Sequence, residues 1–142
     1  MDKIIVFTDG GARGNPGPAA IGYVIYDKTK TEVLASLGEA IGEATNNQAE
    51  YKALIAALNR GRELGADSAE CFLDSELVVK QLHGSYKVRE ENLQKLIQEV
   101  FRAMGKFKQV TFAHIPREKN HFADKLVNEA LDGEKKKAEK RE

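Results

Sequence analysis

Tryptophan is absent, and cysteine occurs once, as Cys71, in a chain of 142 residues. One thiol cannot close an intramolecular disulfide, nor make a cysteine zinc site by itself. Stability must therefore come from an apolar core, and a chain of this length normally buries about two-thirds of its unfolded surface. Net charge is lacking too, because 22 Lys and Arg residues balance 22 Asp and Glu residues. That excludes a protein that grips a polyanion by bulk positive charge; any such contact has to be local. No apolar run approaches the roughly 20 residues needed to span a bilayer. The apolar stretch at residues 4–7 is too short for a secretion signal and leads directly into Thr8 and Asp9. These absences point to a monomeric protein of the reduced cytoplasm with no membrane partner, built as one folded domain.

What is present reads as a mixture of strands and helices. Ile4-Ile5-Val6-Phe7 is β-branched and aromatic, as a buried strand requires, and Gly10-Gly11 ends it. Residues 10–18 are rich in Gly, Pro and Asn and predict a loop. Residues 19–27 and 32–41 predict two further strands joined by a polar turn, so the three strands form an antiparallel meander. Tyr51, Leu54, Ile55 and Leu58 recur at helical spacing over residues 46–64, with Thr45 and Gln48 placed as a capping box and Gly65 as a stop. A strand over 69–73, helices over 75–82 and 89–104, a strand over 107–113 and a helix over 120–131 follow. Residues 132–142 are Lys- and Glu-rich with almost no apolar residue, which predicts a disordered, charged tail after a domain spanning 1–131. The order βββαβααβα implies an α/β fold, a mixed sheet with helices against its faces.

Four carboxylates occupy unusual places in this pattern. Asp9 closes the first strand on the face of Ile5 and Phe7, and Asp74 closes another on the face of Phe72. Glu50 lies one helical turn before Leu54, toward the packed side. Asp124 sits between Ala123 and Leu126 near the start of the last helix. Each acid alone has an ordinary explanation, since Asp forms turns after strands and caps helices. Should the two strand ends lie side by side with both helix starts facing them, four like charges would converge, and they could not all stay ionised without a cation. Hard oxygen donors in that number suit Mg²⁺ or Mn²⁺ rather than zinc. Two such ions can activate water and stabilise the leaving oxygen of a phosphodiester. The histidines His83, His114 and His121 lack metal-ligand spacing, and neither dinucleotide nor P-loop glycine spacing occurs.

The joint pattern resembles the type 1 ribonuclease H family. Thr8-Asp9-Gly10-Gly11 with Gly14-Asn15-Pro16-Gly17 resembles its opening signature, and Thr45-Asn46-Asn47-Gln48-Ala49-Glu50 its second motif. Asp74-Ser75-Glu76-Leu77-Val78-Val79 resembles the third, and Pro116-Arg117-Glu118-Lys119-Asn120 with Ala123-Asp124-Lys125-Leu126 the fourth. The motifs occur in the family's order over residues 8–126.

The resemblance implies a three-layer ribonuclease H-like fold with a five-stranded mixed sheet and helices on both faces. It implies endonucleolytic hydrolysis of the RNA strand of RNA–DNA hybrids by two metal ions, leaving 5′-phosphate and 3′-hydroxyl ends. Carried over by position, Asp9, Glu50, Asp74 and Asp124 are the catalytic, metal-binding carboxylates, with two Mg²⁺ ions (or Mn²⁺) expected alongside substrate. Gly10, Gly11, Asn15, Asn46 and Asn47 match positions near the hybrid's minor groove, where a protein tells RNA from DNA by the 2′-hydroxyl, and Thr45 matches a phosphate contact. Many members carry a basic, Trp-containing protrusion between the two middle helices; here residues 84–89 form a short link, and hybrid binding should lean on Lys80, Lys87 and Arg89. Glu76 stands where some members have Gln, and His114 is nearest to the family's mobile histidine. Two alternatives share the fold: a noncatalytic module that binds hybrid or double-stranded RNA, and a related nuclease acting on DNA.

Overall fold

The structure is a computed structural model and describes residues 2–84 and 87–141. Five strands form one sheet: β1 (Lys3–Ala12), β2 (Gly17–Tyr26), β3 (Val33–Ala44), β4 (Ser68–Leu73) and β5 (Gln109–His114). Their spatial order is β3-β2-β1-β4-β5. β1 pairs antiparallel with β2, and β2 with β3, while β4 runs parallel to β1 and to β5. The sheet is therefore mixed, as the element order implies. The helices are α1 (Asn46–Glu63), α2 (Glu76–Leu82), α3 (Glu91–Met104) and α4 (His121–Arg141), with a 3₁₀ turn, Arg117–Lys119, before α4. Ser85 and Tyr86, within the short link between α2 and α3, lie outside the described residues.

The main core lies under α1 and α3. Ile4, Val6, Ile25, Cys71 and Leu73 from the sheet pack against Leu54, Ala57, Leu58 and Val100 from the helices, and each is fully buried. Cys71 thus serves as a small apolar side chain, and burial pushes its thiol pKa up, away from reactivity. α4 covers the opposite face, where glycines allow backbone approach. A Cβ on Gly22 would stand 2.6 Å from the carbonyl oxygen of Ala123, and one on Gly38 2.6 Å from that of Leu126. Only glycine lets the helix sit this close to β2 and β3.

Two expectations are corrected. The strand β1 does not end at Gly10-Gly11; it continues to Ala12, and Gly10, Gly11 and Ala12 pair with Ile21, Ala20 and Ala19. The loop shrinks to residues 13–16, closed by Arg13 N–H donating to Pro18 O at 2.8 Å. Both glycines are therefore strand residues rather than a turn, and Gly10 is closely packed, since a Cβ there would meet the backbone of Ala49. The expected disordered tail is helical, as α4 runs to Arg141. Glu, Lys and Ala are strong helix formers, Leu131 is buried against Ala20 and Val127, and Glu134 pairs with Lys137 one turn on at 3.5 Å.

α1 matches its expected limits closely. The Thr45 hydroxyl accepts from Gln48 N–H at 3.1 Å, and the Gln48 side chain accepts from Thr45 N–H at 2.9 Å, so the capping box is complete. Gly65, just past the helix, takes φ +90°, which L side chains rarely adopt.

Candidate active site

The parallel pairing of β1 with β4 sets the site. Thr8 stands opposite Leu73 in that register, so the residues that follow, Asp9 within β1 and Asp74 just past the end of β4, come side by side. Strands this close put neighbouring side chains about 5 Å apart. Glu50 arrives from α1, whose first turn presses on β1 at Gly10. A Cβ there would lie 2.2 Å from the carbonyl carbon of Ala49. Glycine at position 10 thus brings the Glu50 backbone against the strand that carries Asp9.

One oxygen from each of Asp9, Glu50 and Asp74 lies within 4.8 Å of the others. Asp9 and Glu50 are buried, at 7% and 6% exposure, and Asp74 is half-buried. Asp124 reaches the same cleft from the first turn of α4, where Arg117 Nη2 donates to its Oδ1 at 3.3 Å and Asn128 Nδ2 to its Oδ2 at 3.4 Å. The cleft has a volume of about 450 Å³, and all four acids line it.

Crowding has an electrostatic consequence. Burial, then the charge of Asp74, pushes the Asp9 carboxyl up to about 7. Burial and the Asp9 charge hold Glu50 well above the ordinary carboxylate range. Two buried acids that cannot both ionise, beside two more acids, form a site that a cation would relieve. Glu50 Oε2 is buried with no hydrogen-bond partner, which otherwise costs about 1–3 kcal/mol. The donor set is all oxygen, the choice of hard divalent cations. The residues present therefore fit Mg²⁺ or Mn²⁺.

The remaining expected site residues fall into two groups. Gly10, Gly11, Asn46 and Asn47 line the cleft with the acids. Asn15 and Thr45 do not line it, yet both are joined to that wall. Asn46 Oδ1 accepts from Ala12 N–H at 2.8 Å, and Asn15 Oδ1 accepts from Asn46 N–H at 3.0 Å. This chain ties the β1–β2 hairpin to the start of α1 and uses both Oδ1 atoms inward. Neither of these bonds uses the Nδ2 hydrogens of the two asparagines. Thr45 Oγ accepts from the helix and keeps its hydroxyl proton to donate.

Four other residues stand at or near the cleft. Arg117 meets Asp124 seven positions along the chain, through a 3₁₀ turn, and no periodic pattern signals it. Asn120 bonds Asp74 Oδ2 at 3.0 Å; its motif is visible in the sequence, but its partner, 46 residues away, is not. Glu76 is exposed and paired with Lys80 at 2.7 Å; that pairing lowers its pKa and keeps it ionised, an acceptor only. His114 ends β5 opposite Leu73.

Comparison with known proteins places these observations in context. A family model described as reverse transcriptase-like matches residues 7–130. The bifunctional protein Rv2228c of Mycobacterium tuberculosis is 43% identical over 130 residues, 92% of this chain and 36% of that protein. Ribonuclease HI of Halobacterium salinarum is 42% identical over 130 residues, again 92% of this chain, and 65% of that protein. The chain thus spans roughly a third to two-thirds of those relatives' lengths. Among solved structures, LC11-RNase H1 in complex with an RNA/DNA hybrid superposes with a TM-score of 0.86 at 48% identity, covering 92% of this chain and 97% of that one.

Proposed function

The chain belongs to the type 1 ribonuclease H family, and from that membership we propose that it is a metal-dependent endoribonuclease that hydrolyses the RNA strand of RNA–DNA hybrids and leaves 5′-phosphate and 3′-hydroxyl ends. The observation that carries the reading is the meeting of Asp9, Glu50 and Asp74 within 4.8 Å, with Asp124 on the same cleft. A pure binder of nucleic acid gains nothing from acids gathered where phosphates must pass, because like charges repel. The hybrid seen on a relative 48% identical supports the substrate class.

Asp9, Glu50, Asp74 and Asp124 would hold Mg²⁺, with Mn²⁺ as a substitute, and two ions are expected once substrate is present. When bound, the ions activate water and offset charge on the departing 3′-oxygen. The chain's own residues supply the rest. Burial and mutual repulsion raise the pKa of both Asp9 and Glu50, so metal occupancy strengthens as pH rises and these carboxyls ionise. The amide donors of Asn15, Asn46 and Asn47 would meet the groove that displays 2′-hydroxyls, beside the backbone of Gly10 and Gly11. Thr45 donates its hydroxyl to a phosphate. Arg117 neutralises Asp124 until a cation does so.

No helix among the described residues is long and apolar enough to cross a membrane. A cytoplasmic monomer that meets hybrids in solution is the setting this reading assumes. The test is gel analysis of a labelled hybrid with Mg²⁺, Mn²⁺ or EDTA, beside DNA-only and RNA-only duplexes. Cleavage of the hybrid's RNA strand is expected with either metal and not in EDTA. Binding without cleavage in either metal would favour a noncatalytic module, and cleavage of the DNA-only duplex a DNA nuclease.

A further inference from the structure

We propose that Asn120 is a positioning residue for the metal-holding carboxylates, acting through Asp74. Three contacts carry the inference. Asn120 Nδ2 donates to the backbone carbonyl of Thr8 at 2.8 Å and to Asp74 Oδ2 at 3.0 Å. The Asn120 backbone carbonyl accepts from Asp124 N–H at 3.1 Å. One residue therefore touches the strand segment just before Asp9, the carboxylate of Asp74 and the backbone of Asp124.

The chemistry of the partners fixes which way the amide points. A backbone carbonyl accepts only, as does an ionised carboxylate, so both contacts need the nitrogen, and both of its hydrogens are used. An aspartate here could donate to neither and would add a further negative charge. The residue is 2% exposed, so water does not compete for these bonds. A carboxylate is planar, and holding Oδ2 limits the rotation that decides where Oδ1 points. Asp74 follows β4 directly and is only half-buried; the Asn120 amide supplies the restraint that burial does not. Groups that orient metal ligands in this way typically change metal affinity or activity by about 10–100-fold when removed.

This inference rests on the reading of the four acids as a divalent-cation site. The experiment is a Mg²⁺ and Mn²⁺ titration followed by thermal melting, which needs no substrate. It uses the full chain, Asn120→Ala, Asp74→Asn and the double variant, with hybrid cleavage measured in parallel. Loss of Asn120 should raise the metal concentration for half the full melting shift by about tenfold. It should lower kcat by a similar factor and leave KM for hybrid within about twofold. In the Asp74→Asn background the same change should have no further effect on the metal titration. Asn120→Ser keeps a hydroxyl in the pocket but is too short to join Thr8 to Asp74, so it should behave like Asn120→Ala; it also serves where the alanine variant fails to fold. An unchanged titration in both Asn120 variants, or an equal loss with and without Asp74, overturns the positioning role alone. Absence of any metal-induced shift in the unsubstituted chain would instead overturn the underlying reading.

Discussion

Replacing Asp9 with asparagine should stabilise the metal-free protein at neutral and alkaline pH while abolishing its activity. Burial and the charge of Asp74 push the Asp9 carboxyl from 3.8 to about 7. Between those values the folded chain keeps a proton that the unfolded chain has released. The folded state binds more protons, so stability falls as pH rises from about 4 and levels off above about 7. A displacement of roughly three pH units at 1.36 kcal/mol each sets the cost near 4 kcal/mol at pH 8. The neutral amide of the Asp9→Asn variant would carry no such cost. Urea unfolding in EDTA at pH 8 should show Asp9→Asn more stable by roughly 2–4 kcal/mol, and at pH 4 the two chains should nearly coincide. Saturating Mg²⁺ should close the gap at pH 8, because a cation stabilises only the chain that can hold it. An equal or lower stability for Asp9→Asn in EDTA at pH 8 would refute the claim that these acids are held together under repulsion.

Other substitutions test separate parts of the account. Asp74→Asn should lower Mg²⁺-dependent hybrid cleavage by at least about 100-fold with an unchanged circular dichroism spectrum, by analogy with other groups that stabilise transition-state charge. Gly10→Ala forces a methyl to within 2.2 Å of the Ala49 carbonyl carbon and should cost about 1–3 kcal/mol in urea unfolding. Gly11→Ala meets only a Val127 methyl at 3.7 Å and should be tolerated far better. Arg117→Ala removes an ion pair whose arginine side chain is 77% exposed and should change stability by less than about 1 kcal/mol. Gly133→Ala adds a methyl in open space inside α4 and should stabilise by roughly 0.5–1 kcal/mol, because residues 132–141 continue the helix; no gain in urea unfolding would contradict that.

Local chemistry makes much of this fold legible. The capping box at Thr45 and Gln48, the stop at Gly65 and Asp74 closing an apolar strand are short-range signals, and the structure contains each of them, whereas Asp9 lies inside β1, which runs on to Ala12. The four acids are recognisable singly as turn or cap residues, and their meeting depends on something no local pattern encodes. Asp9 and Asp74 are neighbours because β4 returns parallel to β1 after α1, a long-range pairing. The resemblance of four ordered motifs stands in for that information. Where local rules mislead, tertiary packing is the cause. Gly10-Gly11 reads as a turn, yet both residues are in β1, and the smallness of Gly10 serves the approach of α1. The Lys- and Glu-rich end lacks apolar residues of its own, but it continues a helix already anchored by Leu131. Asn120 and Arg117 are visible in the fourth motif, but their roles are not, because those lie in partners rather than in spacing.

The central claim is most directly tested by anomalous diffraction from crystals of the protein grown or soaked in Mn²⁺. A manganese peak bounded by the carboxylates of Asp9, Glu50 and Asp74, at ordinary metal–oxygen distances of about 2.0–2.3 Å, is the expected result. An empty cleft at saturating Mn²⁺, or manganese held only elsewhere on the surface, would contradict it.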